Sequence, residues 1–412
     1  MQERFDLIVI GSGPAGSAAA VVAARAGLRV ALLDRSAFPR DKLCGGAISG
    51  RCAGYLDTIF SQPITPSLFR TLTGMRLSHA GTGLALIRDA PPLHMTMRRD
   101  FDAALHRHAV DAGAVVFAPV RIHRIDPDGP RVELDDGRVL EAALLIGADG
   151  CNSATARALY GRPFDPAHVS FALEVELPRR KGAFRHVEID LAATSWGYGW
   201  VFPKHGSVTL GVGGLHLRNP DMKVPMRAYL ERHLTPDEAQ AAMRGCKGAF
   251  LPAGIYRKQP GAGRVLLAGD AAGLVDPVTG EGIAWAMRSG QLAAQACVRA
   301  LNASSPGTAL ALYGKELAYV QREIDIARRL QKLLFFSPGN GPVLRALVRR
   351  PGVQRAFLGI LSGERDYQDI RPATLLRLPL RFGKSFLTRP ANPKANRKTR
   401  QQAGRKAGSR AQ

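Results

Sequence analysis

The residues nearest the N-terminus that could do chemistry are Gly11-Ser12-Gly13-Pro14-Ala15-Gly16, which space three glycines as G-x-G-x-x-G. Gly11 permits a tight turn, Gly13 lets the backbone approach a bulky anion, and Gly16 lets a helix pack close to a strand. Asp34 follows 18 residues after Gly16 and can accept hydrogen bonds from ribose hydroxyls. Together these residues have the chemistry to hold a dinucleotide, either a flavin or a nicotinamide one. Cys44 lies in Phe38-Pro39-Arg40-Asp41-Lys42-Leu43-Cys44-Gly45-Gly46. Two cations precede the thiol and can make it reactive, and the paired glycines call for a sharp turn or a close backbone approach. The alternative for Cys44 is an unreactive buried cysteine in a surface loop. Tyr198, Trp200 and Phe202 alternate along one stretch, which lines three rings along one face, either of a core or of an apolar binding surface. A second acid, Asp270, closes the apolar run 263–270 and is followed by Gly280, Gly282 and Ile283.

The elements that must position these groups follow from periodicity. Residues 5–10 (FDLIVI) read as a buried strand, 17–26 as an Ala-rich helix ended by Gly27, and 29–33 as a second strand carrying Asp34 at its end. A strand, glycine turn, helix, strand and acid in this order are the context the glycine spacing requires. The helix N-terminus faces the phosphates with unpaired N–H groups. Residues 98–113 read as a helix and 114–117 as a strand, and 131–149 as a hairpin turning at Asp135-Asp136-Gly137 and ending in a buried strand. Residues 171–214 alternate apolar with polar, as an antiparallel sheet covered on one face does, and 76–97 are expected to add strands to it. Residues 219–245 read as helical, with a start near Thr235-Pro236-Asp237; 263–270 read as a strand, 283–301 as a helix, and 310–361 as helical. From about residue 372 the periodicity is lost and a disordered tail is expected, at least from Pro390. The fold class predicted is α/β, a Rossmann-type domain with an inserted antiparallel-sheet domain and a helical C-terminal region. The expected boundaries are 1–75, 98–165 and 260–310 for the first domain and 76–97 with 166–259 for the inserted one, then 311–371 helical and 372–412 a basic tail.

At 412 residues, 46% hydrophobic and 22% charged, the chain has the composition of a globular protein with a large core. No run approaches the roughly 18–20 apolar residues of a membrane span, and the first apolar run is a strand the fold needs rather than a leader. Five scattered cysteines show no zinc spacing and no C-x-x-C pair, so no metal site is expected and a reducing cytoplasm is the natural setting. The net charge is +23, and twelve Lys or Arg with no acid follow Asp369, leaving 45 basic against 34 acidic side chains in the body. Such a basic end favours anionic partners.

Three distant segments together resemble flavoprotein hydroxylase-type enzymes: the N-terminal glycines, Gly147-Ala148-Asp149-Gly150 with Ser153 and Arg157, and Gly269-Asp270-Ala271-Ala272-Gly273 with Pro277, Gly280, Gly282 and Ile283. Two more narrow the likeness. Pro39-Arg40-x-Lys42-x-Cys44-Gly45-Gly46 is similar to the PRxKxCGG motif of the geranylgeranyl reductase family, and Tyr198-x-Trp200-x-Phe202-Pro203-Lys204 to its YxWxFPK motif. The resemblance covers about residues 1–310. It implies bound FAD and reduction of isolated C=C bonds in a polyprenyl chain on a lipid, pigment or quinone. The reductant would be NAD(P)H, bound transiently because no second glycine fingerprint occurs, or a ferredoxin. It further implies that Gly11, Gly13, Pro14, Ala15 and Gly16 hold the pyrophosphate and Asp34 the ribose. Arg40 and Arg98 would lie near the phosphates and Val120 near the adenine. Asp270 would bind the ribityl or pyrophosphate region, with Gly280, Gly282 and Ile283 at the isoalloxazine and Asp149 behind it. Cys44 and Gly45 would border the flavin, with Cys44 or a bound water the candidate proton source, and Tyr198, Trp200 and Phe202 would line the substrate path. The alternative on the same fold is an FAD-dependent monooxygenase or halogenase, because Trp200-x-Phe202-Pro203 partly matches a halogenase W-x-W-x-I-P pattern in which Tyr198 would replace the first Trp. A polyprenyl substrate places the enzyme at a bilayer. The interleaved Arg328, Arg329, Lys332, Arg345, Arg349, Arg350 and Arg355 and the basic tail suggest peripheral binding to anionic membrane, and no nucleic-acid partner is expected.

Overall fold

The computed structural model describes residues 2–180, 182–335 and 349–369. Met1–Tyr367 form one compact unit, and Gln368–Gln412 form a second, described only at residues 368–369. The first sheet runs in the order Gly261–Ala262, Val265–Leu267, Val139–Gly147, Gln2–Ile10, Val30–Leu33 and Val115–Phe117. All but the first of these strands pair in parallel. Parallel strands are covered on both faces, and Leu7, Ile8 and Val9 at the centre have no exposed surface. The helices Pro14–Arg25, Arg98–Asp111 and Ile283–Asn302 contribute to the larger core over this sheet. The strands Ile122–Asp126 and Arg131–Leu134 extend from Val139–Gly147 and help to close the other face through Val132, Leu134 and Leu140. The long helix Ala309–Phe335 is tied in by the Tyr313 hydroxyl, which donates to the Leu267 carbonyl at 2.9 Å.

The second sheet has seven strands in the order Lys247–Leu251, Ser170–Pro178, Ser207–Leu215, Gly197–Pro203, Val187–Asp190, Met75–His79 and Thr82–Ile87. It is antiparallel except where Val187–Asp190 meets Met75–His79. Strand alternation gives it two different faces. Leu173, Val175, Val201, Leu210 and Val212 pack against Met226, Tyr229, Leu230 and Ala239 of the helices Lys223–Leu230 and Pro236–Arg244. The residues between them in sequence, Glu174, Glu176, Trp200, Thr209 and Gly211 among them, line the opposite face.

Residues 219–245 hold the helices Lys223–Leu230 and Pro236–Arg244, the second starting where Thr235-Pro236-Asp237 marks it, with Thr235 and Glu238 closing a capping box around its first turn. One local expectation needs correction. Of residues 76–97, the strand Leu93–Met95 joins Ala47–Ile48 and Arg70–Leu72 in a separate three-stranded sheet, because Met95 pairs with Ala47 and with Arg70. In the C-terminal region the helix Pro351–Ser362 is described. Residues 336–348, with much of the expected amphipathic stretch, and the basic tail from residue 370 lie outside the described residues.

Candidate active site

The glycine turn sits where the first strand ends. Gly11 has a φ of +95°, and a side chain on it would meet the Ala148 carbonyl oxygen at 2.4 Å. The Gly147-Ala148-Asp149 segment therefore packs directly beneath the turn. A side chain on Gly16 would meet the Gly11 carbonyl at 1.7 Å, which ties the helix to the strand. Gly13 faces space: its nearest neighbour would be Arg40 Nη2 at 3.7 Å. Among the described residues no side chain caps the helix that starts after Gly13, and its first N–H groups and the Arg40 guanidinium border the same opening. Asp34 is buried at the end of the second strand and accepts the N–H groups of Ser12 at 2.8 Å and Ser36 at 2.9 Å. Val120 donates its N–H to the Asp34 carbonyl at 2.9 Å. This arrangement fits a dinucleotide: an open glycine, an uncapped helix end, a cation and a buried acid converge within one cradle.

The other side of the cradle is built by the late return of the chain. Gly269 packs against Ala15, and Asp270 lies 3.7 Å from where a Gly282 side chain would begin. Gly282 precedes the helix Ile283–Asn302, which also lacks a side-chain cap among the described residues. Asp149 turns away from the turn and accepts Ser153 Oγ at 2.5 Å and the Thr155 N–H at 3.0 Å. Burial pushes its carboxyl up, with these bonds opposing. Asp149 thus shapes the segment beneath Gly11 from behind.

The PRxKxCGG and YxWxFPK stretches, over 150 residues apart in sequence, touch each other. A side chain on Gly45 would fall 2.6 Å from the Phe202 ring and 3.3 Å from Trp200 Nε1. One on Gly46 would fall 3.3 Å from Lys204 Cε. Tyr198, Trp200 and Phe202 form a continuous stripe with centroid separations of 5.8 and 6.2 Å. Trp200 is buried, yet its Nε1 has no hydrogen-bond partner among the described residues. The Tyr198 hydroxyl donates to the Thr279 carbonyl at 2.8 Å and sits close over Gly280, whose φ is +73°. Burial, with Asp276 nearby, pushes the Tyr198 hydroxyl well above its ordinary range. The stripe therefore bridges the second sheet, the cysteine loop and the loop before Gly282.

Asp102, His106, Glu174, Glu176 and Glu281 were not singled out from sequence. Arg98 is buried and forms a bidentate pair with Asp102 at 2.6 and 2.8 Å, while Arg40 reaches the same carboxylate at 3.2 Å. Burial opposes the Arg98 charge, but Asp102 and a contact with the Cys44 thiol outweigh it and raise its pKa. Arg98 therefore spends its guanidinium on Asp102 and Cys44, while Arg40 faces the open glycine. Ser12 Oγ lies 2.7 Å from His106 Nδ1, and Phe38 stacks on the His106 ring at 4.2 Å. Glu174 is pushed up to about 7 by burial; Lys204, the nearby Cys44 N–H and Arg98 pull the other way and Glu176 adds to the rise. Lys204 is buried and pairs with Glu176 at 2.9 Å. Glu281, between Gly280 and Gly282, is also pushed to about 7 by burial, with Arg51 and the Ser49 hydroxyl opposing. Alternating glycines in a strand, Gly211 and Gly213, and the i,i+4 pair Arg98–Asp102 were the available signals for part of this set.

Comparison with known proteins agrees with the cradle. Residues 6–117 match the family model for FAD dependent oxidoreductases. The chain is 31% identical over 315 residues to the menaquinone reductase of Mycolicibacterium smegmatis, covering 72% of this chain and 76% of that protein. It is 30% identical over 323 residues to the geranylgeranyl diphosphate reductase of Rhodobacter capsulatus, covering 74% and 77%. Its fold is similar to that of a geranylgeranyl bacteriochlorophyll reductase-like protein from Thermoplasma acidophilum, with a TM-score of 0.73, 21% identity, and 88% and 98% of the two chains covered.

Proposed function

The chain belongs to the geranylgeranyl reductase family of FAD-dependent oxidoreductases, and we propose that it saturates C=C bonds of a polyprenyl chain carried by a quinone, lipid or pigment. The observation that carries this reading is the seam, where Gly45 of the cysteine loop lies against Trp200 and Phe202 of the second sheet. In the proposed site Gly11, Gly13, Pro14, Ala15, Gly16 and Arg40 hold the pyrophosphate, Asp34 the ribose and Val120 the adenine end. Asp270, Gly280, Gly282, Ile283, Cys44 and Gly45 surround the flavin end, with Asp149 and Arg98 fixing the segments behind them. When bound and reduced, FAD supplies the hydride that saturation requires. Tyr198, Trp200 and Phe202 give a prenyl chain flat apolar contact and keep water from the double bond. An isolated alkene accepts hydride poorly, so a proton must be brought to the second carbon.

The test is anaerobic: photoreduced holoenzyme is mixed with geranylgeranyl diphosphate or a polyprenyl menaquinone, and the product is read by mass spectrometry. A gain of two hydrogens per saturated bond is expected. Oxygen consumed in step with product, and no reaction without oxygen, would instead indicate a monooxygenase or halogenase. The reductant is proposed to be NAD(P)H or a ferredoxin; flavin bleaching by neither would exclude both. No helix among the described residues is long and apolar enough to cross a membrane. Access to a lipid substrate is therefore proposed to be peripheral, through the basic tail on an anionic surface. Failure to co-sediment with anionic vesicles at low salt would count against that tether.

A further inference from the structure

Saturating one double bond forms two C–H bonds, one from a hydride and one from a proton. Tyr198 directs its proton to the Thr279 carbonyl. Glu281 is held by Ser49 and Arg51. The Cys44 thiol lies against the Arg98 guanidinium. Glu174 differs from all three. It projects from the centre of the strand Ser170–Pro178 onto the face that carries Trp200, and the two side chains meet over Gly211. A side chain on Gly211 would fall 2.3 Å from the Trp200 ring and 2.8 Å from Glu174 Cβ. The Cys44 backbone N–H approaches its carboxyl, so it lies near the cysteine loop and beside the aromatic stripe at once.

We propose that Glu174 is the proton donor of the site, protonated at rest and left as a carboxylate after each double bond is saturated. The inference rests on the reductase reading above. The hydride comes from the reduced cofactor, the proton from the Glu174 carboxyl, and the carboxylate regains its proton from solvent before the next turnover. Both its states are provided for. Burial at 6% exposure favours the neutral acid, and Lys204 and Arg98 stand ready to balance the anion. The groups facing it are Lys204 from the strand end and Glu176 from its own strand. Arg98, itself paired with Asp102, and Cys44 approach from the first-sheet side, and Lys247 is its register partner on the neighbouring strand. A proton-holding acid that loses its proton near pH 7 makes the reaction fall off as the pH rises through that value.

Glu174→Gln keeps an oxygen for the Cys44 N–H and removes the proton. Two measurements on the holoenzyme decide the matter. In infrared pH titration, the wild type should lose a protonated-carboxyl band across neutrality that E174Q lacks, with Glu281→Gln retaining it. In anaerobic single turnover with geranylgeranyl diphosphate and with a polyprenyl menaquinone, E174Q should reoxidise its flavin about a hundredfold or more slowly, without the alkaline fall, and Glu174→Asp should recover part of the rate. An infrared titration identical in wild type and E174Q, or an unchanged rate and pH profile, overturns the proposal. If the wild type reacts with neither probe, it is the reductase reading that fails, and the infrared comparison still shows whether Glu174 holds the proton.

Discussion

Gly211→Ala is a sharp test of the seam because the backbone tolerates the change and the indole does not. Gly211 lies inside a regular strand, so alanine brings no conformational penalty of its own. Its methyl would stand 2.3 Å from Trp200 Cζ2 and 2.4 Å from Cε2, where carbon atoms need about 3.5–4.0 Å. The indole must therefore move by more than about 1 Å. It cannot do so freely: Gly213 lies beneath it, and Tyr198 and Phe202 flank it at centroid distances of 5.8 and 6.2 Å. Overpacking of this kind costs about 1–3 kcal/mol. We expect a lower melting temperature and unchanged flavin content, with kcat/KM for a polyprenyl substrate falling roughly tenfold for each ~1.4 kcal/mol lost from its bound transition state. The decisive comparison is with Trp200→Ala. Removing the indole removes the larger part of the clash and leaves only the 2.8 Å approach to Glu174 Cβ, so Gly211→Ala should cost much less in the W200A background than in the wild type, a departure from additivity. A G211A protein as stable as the wild type, or costs that simply add in the double variant, would refute the close approach.

Two further outcomes follow from the cradle. Asp270→Ala should weaken FAD binding roughly ten- to hundredfold while the apoprotein stays folded, since one charge-assisted bond is worth about 1.5–3 kcal/mol; isothermal titration of apoprotein with FAD checks it. Glu281, pushed from an ordinary 4.5 to about 7, holds its proton more tightly when folded than when unfolded. Its contribution to stability is therefore full below about 4.5 and falls away as the pH rises to about 7, by up to about 3 kcal/mol. In urea unfolding, Glu281→Gln should therefore gain on the wild type across that window, and parallel curves would speak against a buried neutral Glu281.

The parallel sheet and its glycine cradle were legible because local signals agree with one another: a buried run, a glycine turn, an Ala-rich helix and a terminal acid all imply the same unit. The alternation of residues 171–214 likewise announced an antiparallel sheet. It could not say which face was the core, because both faces hold buried residues. Leu173 and Val175 go to the helices, and Glu174 between them goes to the seam. A lone acid in an apolar strand reads as solvent-facing until the loop that covers it is known, and that loop lies over 120 residues earlier. Asp102 was hidden for the same reason: on a helix it looks like a surface partner for Arg98, and only packing shows both to be buried.

Around Cys44 the seam buries two cations, Arg98 and Lys204, beside two acids, Asp102 and Glu174, although well-packed apolar residues would serve stability as well or better. If the charges persist to govern Glu174, their removal must shift its proton affinity in directions fixed by sign. Lys204 lowers that affinity and Glu176 raises it. Lys204→Met should therefore let Glu174 keep its proton to higher pH and move the alkaline fall of the single-turnover rate upward. Glu176→Gln should move it downward. Stability behaves differently. Both substitutions break the 2.9 Å Lys204–Glu176 pair, so both should cost on the order of 1–3 kcal/mol. A purely structural role predicts two losses of stability with one unchanged pH profile. Opposite shifts in the profile, with losses of the same sign in stability, separate control of the proton from support of the fold.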